Sequence, residues 1–321
     1  MEFQYLLHKI ETAEIGNYPF RHVHISDFFS PEHFAQIIAT TEVAIPTVHD
    51  DERLFAELFR RGYKVIDFPG CITDRDVYIK WHREKGPSQN LTNTSCEGFG
   101  VTLRLTETRS PIVADLTAFM SSAEFQLTLA AKFGLDLGAL YYDTGIQKYL
   151  DGYEISPHPD TRNKALTYMV NINPGIDSEQ QNHHTHYLQF KDEFKYVESY
   201  WIGHPDEDRC WVPWSWCESQ KVQRENNSIV IFSPTNNTMH AVKASYNHLT
   251  SQRTQMYGNL WYRQKQTNDG PRWEDFVIHL AAPRPSLQDR LKSMVPAQVK
   301  GWMKPRKEED KNVISNRLRA S

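Results

Sequence analysis

Hydrophobic and polar positions follow two different rhythms along the chain. Over residues 1–14 apolar side chains recur at the spacing of a short amphipathic helix. Phe20, His22, His24 and Ser26 then alternate with Arg21, Val23, Ile25 and Asp27, which predicts a strand. Ser30-Pro31-Glu32 predicts a helix start: a hydroxyl to cap, a proline in the first turn and a carboxylate near the positive helix end. Residues 51–96 are charged and irregular, part helix and part long loop. Residues 99–106 read as a strand. Residues 111–121 and 123–133 have helical spacing, the second ended by Gly134.

From residue 140 onward the rhythm shortens. Runs rich in β-branched and aromatic residues alternate with turn residues, and strands are expected near 140–150, 153–158, 165–172, 185–190, 228–233, 239–244 and 253–263. Short strands in such succession favour an all-β barrel or jelly roll over parallel βαβ units. Two strands have divided faces. Leu166, Tyr168, Val170 and Ile172 oppose Ala165, Thr167, Met169, Asn171 and Asn173, while Arg253, Gln255, Tyr257, Asn259 and Trp261 share one face. A polar, aromatic face suits a barrel with a wet interior pocket and equally suits a sheet facing solvent. The segment 191–227 is expected to be an insertion. It holds four of the eight tryptophans, Trp201, Trp211, Trp214 and Trp216, which either pack it onto the barrel or wall a substrate.

Composition narrows the picture. The chain has 321 residues, 39% of them hydrophobic, enough for a sizeable core. No window is long and apolar enough to cross a membrane, and the start lacks a basic leader before an apolar run. Cys71, Cys96, Cys210 and Cys217 show no zinc spacing and read as reduced thiols of a cytoplasmic protein. Residues 284–321 carry ten Lys/Arg and four Asp/Glu, a net of +6 against −4 for the whole chain. The expected organisation is an N-terminal strand-and-helix support over 1–98, a β core over 99–265 and a basic helical extension over 266–321.

The candidate chemistry sits in QKYLDGYEISPHPDTRNKALTYMVNIN, residues 147–173. His158 and Asp160 are two apart at the end of a strand-like run, so imidazole and carboxylate can project together. Two histidines and one carboxylate on a shared face, with other positions open, suit non-haem Fe(II). His240 supplies the second imidazole, on a strand that follows a Pro/Asn/Thr turn. Arg253 comes thirteen residues later and offers a planar fork for a carboxylate. His183, His184 and His186 form a second histidine cluster after a polar loop. Without a glycine-rich run or a following glutamate, they read as a solvated loop. His248 is an alternative to His240.

His158-Pro159-Asp160, the hairpin SIVIFSPTNNTMHAV with His240, and Arg253 together resemble the Fe(II)/2-oxoglutarate-dependent oxygenases, and within them the prolyl-4-hydroxylase-like group. Tyr149…Gly152 before the HxD, Leu166-Thr167…Asn173 after it and the opening VHISDFFSPEHF are similar to that group. The resemblance implies a mainly β protein with flanking helices around a double-stranded β-helix (jelly roll) core. It implies Fe(II) held by His158, Asp160 and His240. It also implies 2-oxoglutarate as co-substrate with its far carboxylate on Arg253, Tyr149 and Asn171 as further contacts, O2 as oxidant and ascorbate as a reductant. The group's usual lysine for that carboxylate is absent, and Arg253 takes its place. Asp160 implies hydroxylation rather than halogenation, since halogenases have a small residue there. The next arginine is Arg263, which departs from the paired arginines of nucleic-acid demethylases and argues against a nucleic-acid substrate. The expected activity is hydroxylation of an unactivated C–H bond in a small molecule or biosynthetic intermediate, with 2-oxoglutarate converted to succinate. The alternatives are a peptidyl (prolyl-type) or glycan hydroxylase of the same mechanism, and a non-catalytic jelly-roll or cupin-like binding protein.

Overall fold

The computed structural model of the chain describes residues 2–68, 71–85, 100–243, 253–264 and 272. The loop expected before residue 99, Cys96, His248 and the basic C-terminal extension lie outside the described residues.

The N-terminal third builds a helical layer. Helix α1 (Tyr5–Thr12) precedes strands β1 (Ile15–Gly16) and β2 (His22–Ile25) and helix α2 (Pro31–Ile38). The Ser30 side chain accepts from the backbone N–H of His33, as its sequence foretells. Helix α3 (Asp51–Arg60), strand β3 (Tyr63–Val65), helix α4 (Arg75–Lys85) and strand β4 (Thr102–Leu105) follow. Next come helices α5 (Pro111–Met120) and α6 (Ala123–Phe133), the latter closed by Gly134 in a left-handed conformation.

Eight further strands make the barrel: β5 (Leu140–Tyr149), β6 (Ile155–His158), β7 (Lys164–Asn171), β8 (Thr185–Phe190), β9 (Cys217–Val222), β10 (Ile229–Phe232), β11 (His240–Val242) and β12 (Arg253–Tyr262). Helix α7 (Tyr196–Gly203) lies between β8 and β9. The large sheet runs β1-β2-β10-β7-β12-β5-β4-β3 and the small one β6-β11-β8-β9. The chain passes between the sheets at almost every connection, and the paired strands are antiparallel. That order is a double-stranded β-helix, the jelly roll expected from the sequence.

The divided faces sort as period-2 geometry requires. Leu166, Tyr168, Val170 and Ile172, with Ile146, Met256 and Leu260, pack outward into the main core beneath α1, α3, α5 and α6. Each such fully buried aliphatic or aromatic side chain contributes about 1.5–3 kcal/mol relative to exposure. The opposite face, from Arg253 to Trp261, lines a cavity between the sheets rather than meeting solvent.

Two expectations fail. The segment 191–227 is not one insertion: β9 pairs with β8 and edges the small sheet. Its sequence, CESQKV, lacks apolar alternation because only Cys217 is buried. The histidine cluster is not a solvated loop either. His183 is 4% exposed and His184 2%, and His184 Nε2 contacts the Ser178 carbonyl at 2.8 Å. The polar residues around them form folded-back loop structure, which hydropathy cannot distinguish from a solvated loop.

Of the four tryptophans, Trp214 joins Leu188, Phe190 and Ala241 on the outer face of the small sheet, and Trp216 packs against that cluster. Trp201 is buried under the Arg162 guanidinium, 3.7 Å from its ring centroid. Trp211 turns into the cavity.

Candidate metal centre

Strand β6 ends at His158, and Asp160 lies beyond it with φ +76°. The expectation that the two project together as neighbours on a strand is therefore replaced by a different device. A left-handed residue turns the chain back so that its carboxylate returns to the imidazole. Aspartate tolerates this region better than most residues, at a cost of about 1–3 kcal/mol. Gly152, with φ +79°, lies before β6. A Cβ there would stand 2.3 Å from the Trp81 ring, so only glycine lets α4 close against this approach.

The third candidate ligand arrives by pairing. His240 begins β11 directly opposite His158 on β6. The two ring centroids are 4.2 Å apart. His158 Nδ1 contacts the Ser156 carbonyl at 2.7 Å and His240 Nδ1 contacts the Thr238 carbonyl at 2.9 Å. Each backbone contact fixes the proton on Nδ1 and leaves the Nε2 lone pair for the cavity. His158 Nε2 is 3.8 Å from Asp160 Oδ1, and His240 Nε2 is 3.7 Å from Asp160 Oδ2. One ligand atom from each residue lies within 4.8 Å of the others, a spacing that admits one ion.

Electrostatics agree with that use. Burial, reinforced by the neighbouring His240, pushes the His158 pKa down to about 3. Burial lowers His240 as well. Both rings are then neutral and able to ligate near pH 7. Burial alone would raise Asp160, but the charge and hydrogen bond of Lys164 overcome it and keep the carboxylate ionised. Lys164 Nζ donates to Asp160 Oδ1 at 2.6 Å and Thr167 Oγ1 donates to Oδ2 at 3.0 Å. Two donors thus hold the carboxylate in one orientation.

The cavity is about 420 Å³ and is lined by all three candidate ligands and by Arg253. Arg253 Nη2 donates to Thr185 Oγ1 and to Gln255 Oε1, both at 3.0 Å. Its Nη1 is buried and has no hydrogen-bond partner among the described residues. A buried, unpaired guanidinium donor is costly and marks a place where an acceptor belongs. Tyr149 lies opposite Arg253 in the sheet register, with its ring centroid 4.3 Å from the guanidinium. The Gln147 side chain lies 2.7 Å from the Tyr149 hydroxyl; oriented so that its oxygen accepts from Arg104 at 2.7 Å, its amide donates to that hydroxyl. That leaves the hydroxyl hydrogen of Tyr149 available to the cavity.

Asn171 is placed differently. Its amide donates to the Gln223 and Glu225 carbonyls and its oxygen accepts from Gln255 Nε2 at 2.8 Å. It does not line the cavity and touches the site only through Gln255, which also holds Arg253. A strand face read from sequence places a residue inside a barrel but does not say whether a neighbour has already taken its amide.

Sequence reasoning missed three cavity residues. Lys164 follows Asp160 by four positions, a spacing with no meaning until the turn folds the chain back. Trp211 stacks on His158 with centroids 6.2 Å apart, and its Nε1 is buried with no partner. Only its place among clustered tryptophans hinted at this. Arg104 crosses β5 at Gly145, where a Cβ would come within 3.0 Å of its side chain.

No protein-family profile and no curated protein sequence matches the chain. Solved structures do. A prolyl-4-hydroxylase from Pseudomonas putida is similar over 82% of this chain and 100% of its own, with 10% identity and a TM-score of 0.40. The epimerase SnoN, solved with Fe3+, alpha-ketoglutarate and nogalamycin RO, is similar over 83% and 88%, with 10% identity and a TM-score of 0.38. HygX from Streptomyces hygroscopicus, solved with nickel and 2-oxoglutarate, is similar over 70% and 98%, with 11% identity and a TM-score of 0.29. The strand order and site geometry described above stand without these overlaps.

Proposed function

We propose that the protein is an Fe(II)- and 2-oxoglutarate-dependent oxygenase of the prolyl-4-hydroxylase-like kind that hydroxylates an unactivated C–H bond of a small molecule. One observation carries the reading: three converging ligand atoms share a cavity with a buried guanidinium nitrogen that lacks a partner.

The residues fit the group they would hold. His158, Asp160 and His240 supply two neutral nitrogens and one anionic oxygen, which leaves further coordination positions of an octahedral ion for co-substrate and oxygen. Arg253 would take the far carboxylate of 2-oxoglutarate on Nη1, and Tyr149 would add its hydroxyl hydrogen. When bound, the iron and 2-oxoglutarate supply the oxidation, with succinate and carbon dioxide as co-products. The chain's own work is positional. Lys164 and Thr167 orient Asp160, and the Ser156 and Thr238 carbonyls orient the two imidazoles. Trp211 and Tyr257 give the cavity apolar walls that limit water around the reacting bond.

The test is spectroscopic and needs no substrate. Anaerobic addition of Fe(II) and 2-oxoglutarate should produce a weak visible charge-transfer band, absent in His158→Ala. Aerobic incubation should release succinate slowly. Neither band nor succinate in the wild-type protein would overturn the proposal and favour a binding protein built on the same barrel. Among the described residues no helix is long and apolar enough to cross a membrane.

A further inference from the structure

Lys164 is a second cation in the cavity, and orienting Asp160 uses only one of its three N–H donors. It opens β7 with its side chain 7% exposed. Nζ donates to Asp160 Oδ1 at 2.6 Å and to the Tyr257 hydroxyl at 3.1 Å, and lies 5.2 Å from the Trp261 ring centroid. An ammonium has three donors, so one remains. Arg253 and Trp261 sit at opposite ends of β12, and Lys164 pairs with Trp261 in register. One cation therefore stands at the end assigned to the co-substrate and the other at the opposite end.

The buried charges give the substrate a sign. Arg104 and Asp143 line the cavity as an ion pair and cancel. Asp67, Asp208 and Arg209 are exposed, where water screens them. Among the described lining residues this leaves Asp160, Lys164 and Arg253 as the buried charged set, with a net charge of +1. A divalent ion and a dianionic co-substrate add nothing to that sum. Buried charge is expensive unless paired, so the loaded cavity is completed by one anionic group. The wall beside Lys164 is aromatic: Trp261 and Tyr257 both line the cavity, with ring centroids 5.2 and 5.8 Å from the ammonium.

Building on the oxygenase reading above, we propose that the substrate is a small carboxylic acid carrying a ring, its carboxylate seated on Lys164 and its ring against Trp261. Nothing in the metal or 2-oxoglutarate chemistry requires this.

Calorimetry on non-reacting protein loaded with Zn(II) and 2-oxoglutarate tests it, with phenylacetate and its neutral analogue phenylacetamide as probes. Wild-type protein should bind phenylacetate at least about tenfold more tightly. The preference should fall within about twofold in Lys164→Met and persist in Lys164→Arg, which retains the charge. Equal or undetectable binding of the two probes to the wild-type protein, a preference that survives Lys164→Met, or displacement of 2-oxoglutarate by phenylacetate would each overturn the proposal. The wild-type comparison needs no variant, so a folding defect in Lys164→Met cannot hide the answer. Failure of the wild-type protein to take up Zn(II) and 2-oxoglutarate strikes the oxygenase reading, and this proposal with it. Uptake with no preference between the probes strikes this proposal alone.

Discussion

Two clusters of histidine and buried carboxylate stand out among the described residues, and they are built for opposite ends. At the junction of α3, α4 and the turn after β5, His82 contacts Asp51 through Nδ1 at 2.8 Å and Asp151 through Nε2 at 3.0 Å. Both ring nitrogens are used within the protein. The hydrogen bonds to Asp151 and then Asp51 push its pKa up to about 9, so the ring keeps its proton and acts as a charged clasp. At the metal centre the residue types are the same and the ratio is reversed, with two imidazoles and one carboxylate. Each imidazole gives only Nδ1 to the protein, burial removes its second proton, and both Nε2 atoms turn to one point. Residue type and burial do not separate a clasp from a ligand set. The unused valence does.

Removing a ligand should break the comparison most completely. His158→Ala or His240→Ala should lose the Fe(II)–2-oxoglutarate band, with metal affinity down by more than the about 10–100-fold typical of an orienting partner. The far-ultraviolet circular dichroism should be unchanged. Asp160→Ala should lose the band as well and should also lower the melting temperature, because it leaves Lys164 buried without its counter-ion. A melting temperature equal to that of His158→Ala would show that the Lys164–Asp160 pair carries no stability.

His82→Ala should do the reverse. It removes the cation held between Asp51 and Asp151 and should cost about 3 kcal/mol in denaturant unfolding, at the low end for a broken buried pair because 14% of the side chain meets solvent. The band should survive, and its loss would mean that the clasp shapes the metal site through the Asp151-Gly152 turn. Arg253→Ala should raise the 2-oxoglutarate KM about 100-fold, the equivalent of one charge-assisted pair worth about 2.7 kcal/mol. An unchanged KM would move the co-substrate elsewhere.

The smallest effect is one of pH. The His82 pKa is near 6.5 in the unfolded chain and rises to about 9 on folding. The stabilisation is therefore complete below about pH 6.5 and is lost as pH rises through 9. Discounted for partial solvation, it should amount to about 2 kcal/mol. Unfolding at pH 6 and pH 9.5 should show this loss in wild-type protein and not in His82→Ala.

Much of the barrel could be read ahead of the structure. The strands near 140–150, 185–190 and 253–263 have period-2 faces or β-branched and aromatic runs, because one side must meet a core. β9 had no such signature, being a polar edge strand that exists through its pairing with β8. His158, Asp160, His240 and Arg253, which the structure brings to one cavity, could be named as candidates from residue type and order. Lys164, Trp211 and the divided roles of Tyr149 and Asn171 could not, because each depends on which neighbour reaches an atom first.

The sequence by itself determined the alternation of faces, the helix caps and the set of side chains able to hold a metal, because these follow from local spacing and residue chemistry. Tertiary structure alone decided that a left-handed Asp160 turns back onto His158, that β6 and β11 set two imidazoles in register, and that Arg253 keeps one nitrogen unpartnered. Those outcomes depend on where distant segments meet, and hydrogen-bond valence is settled only once every neighbour is in place.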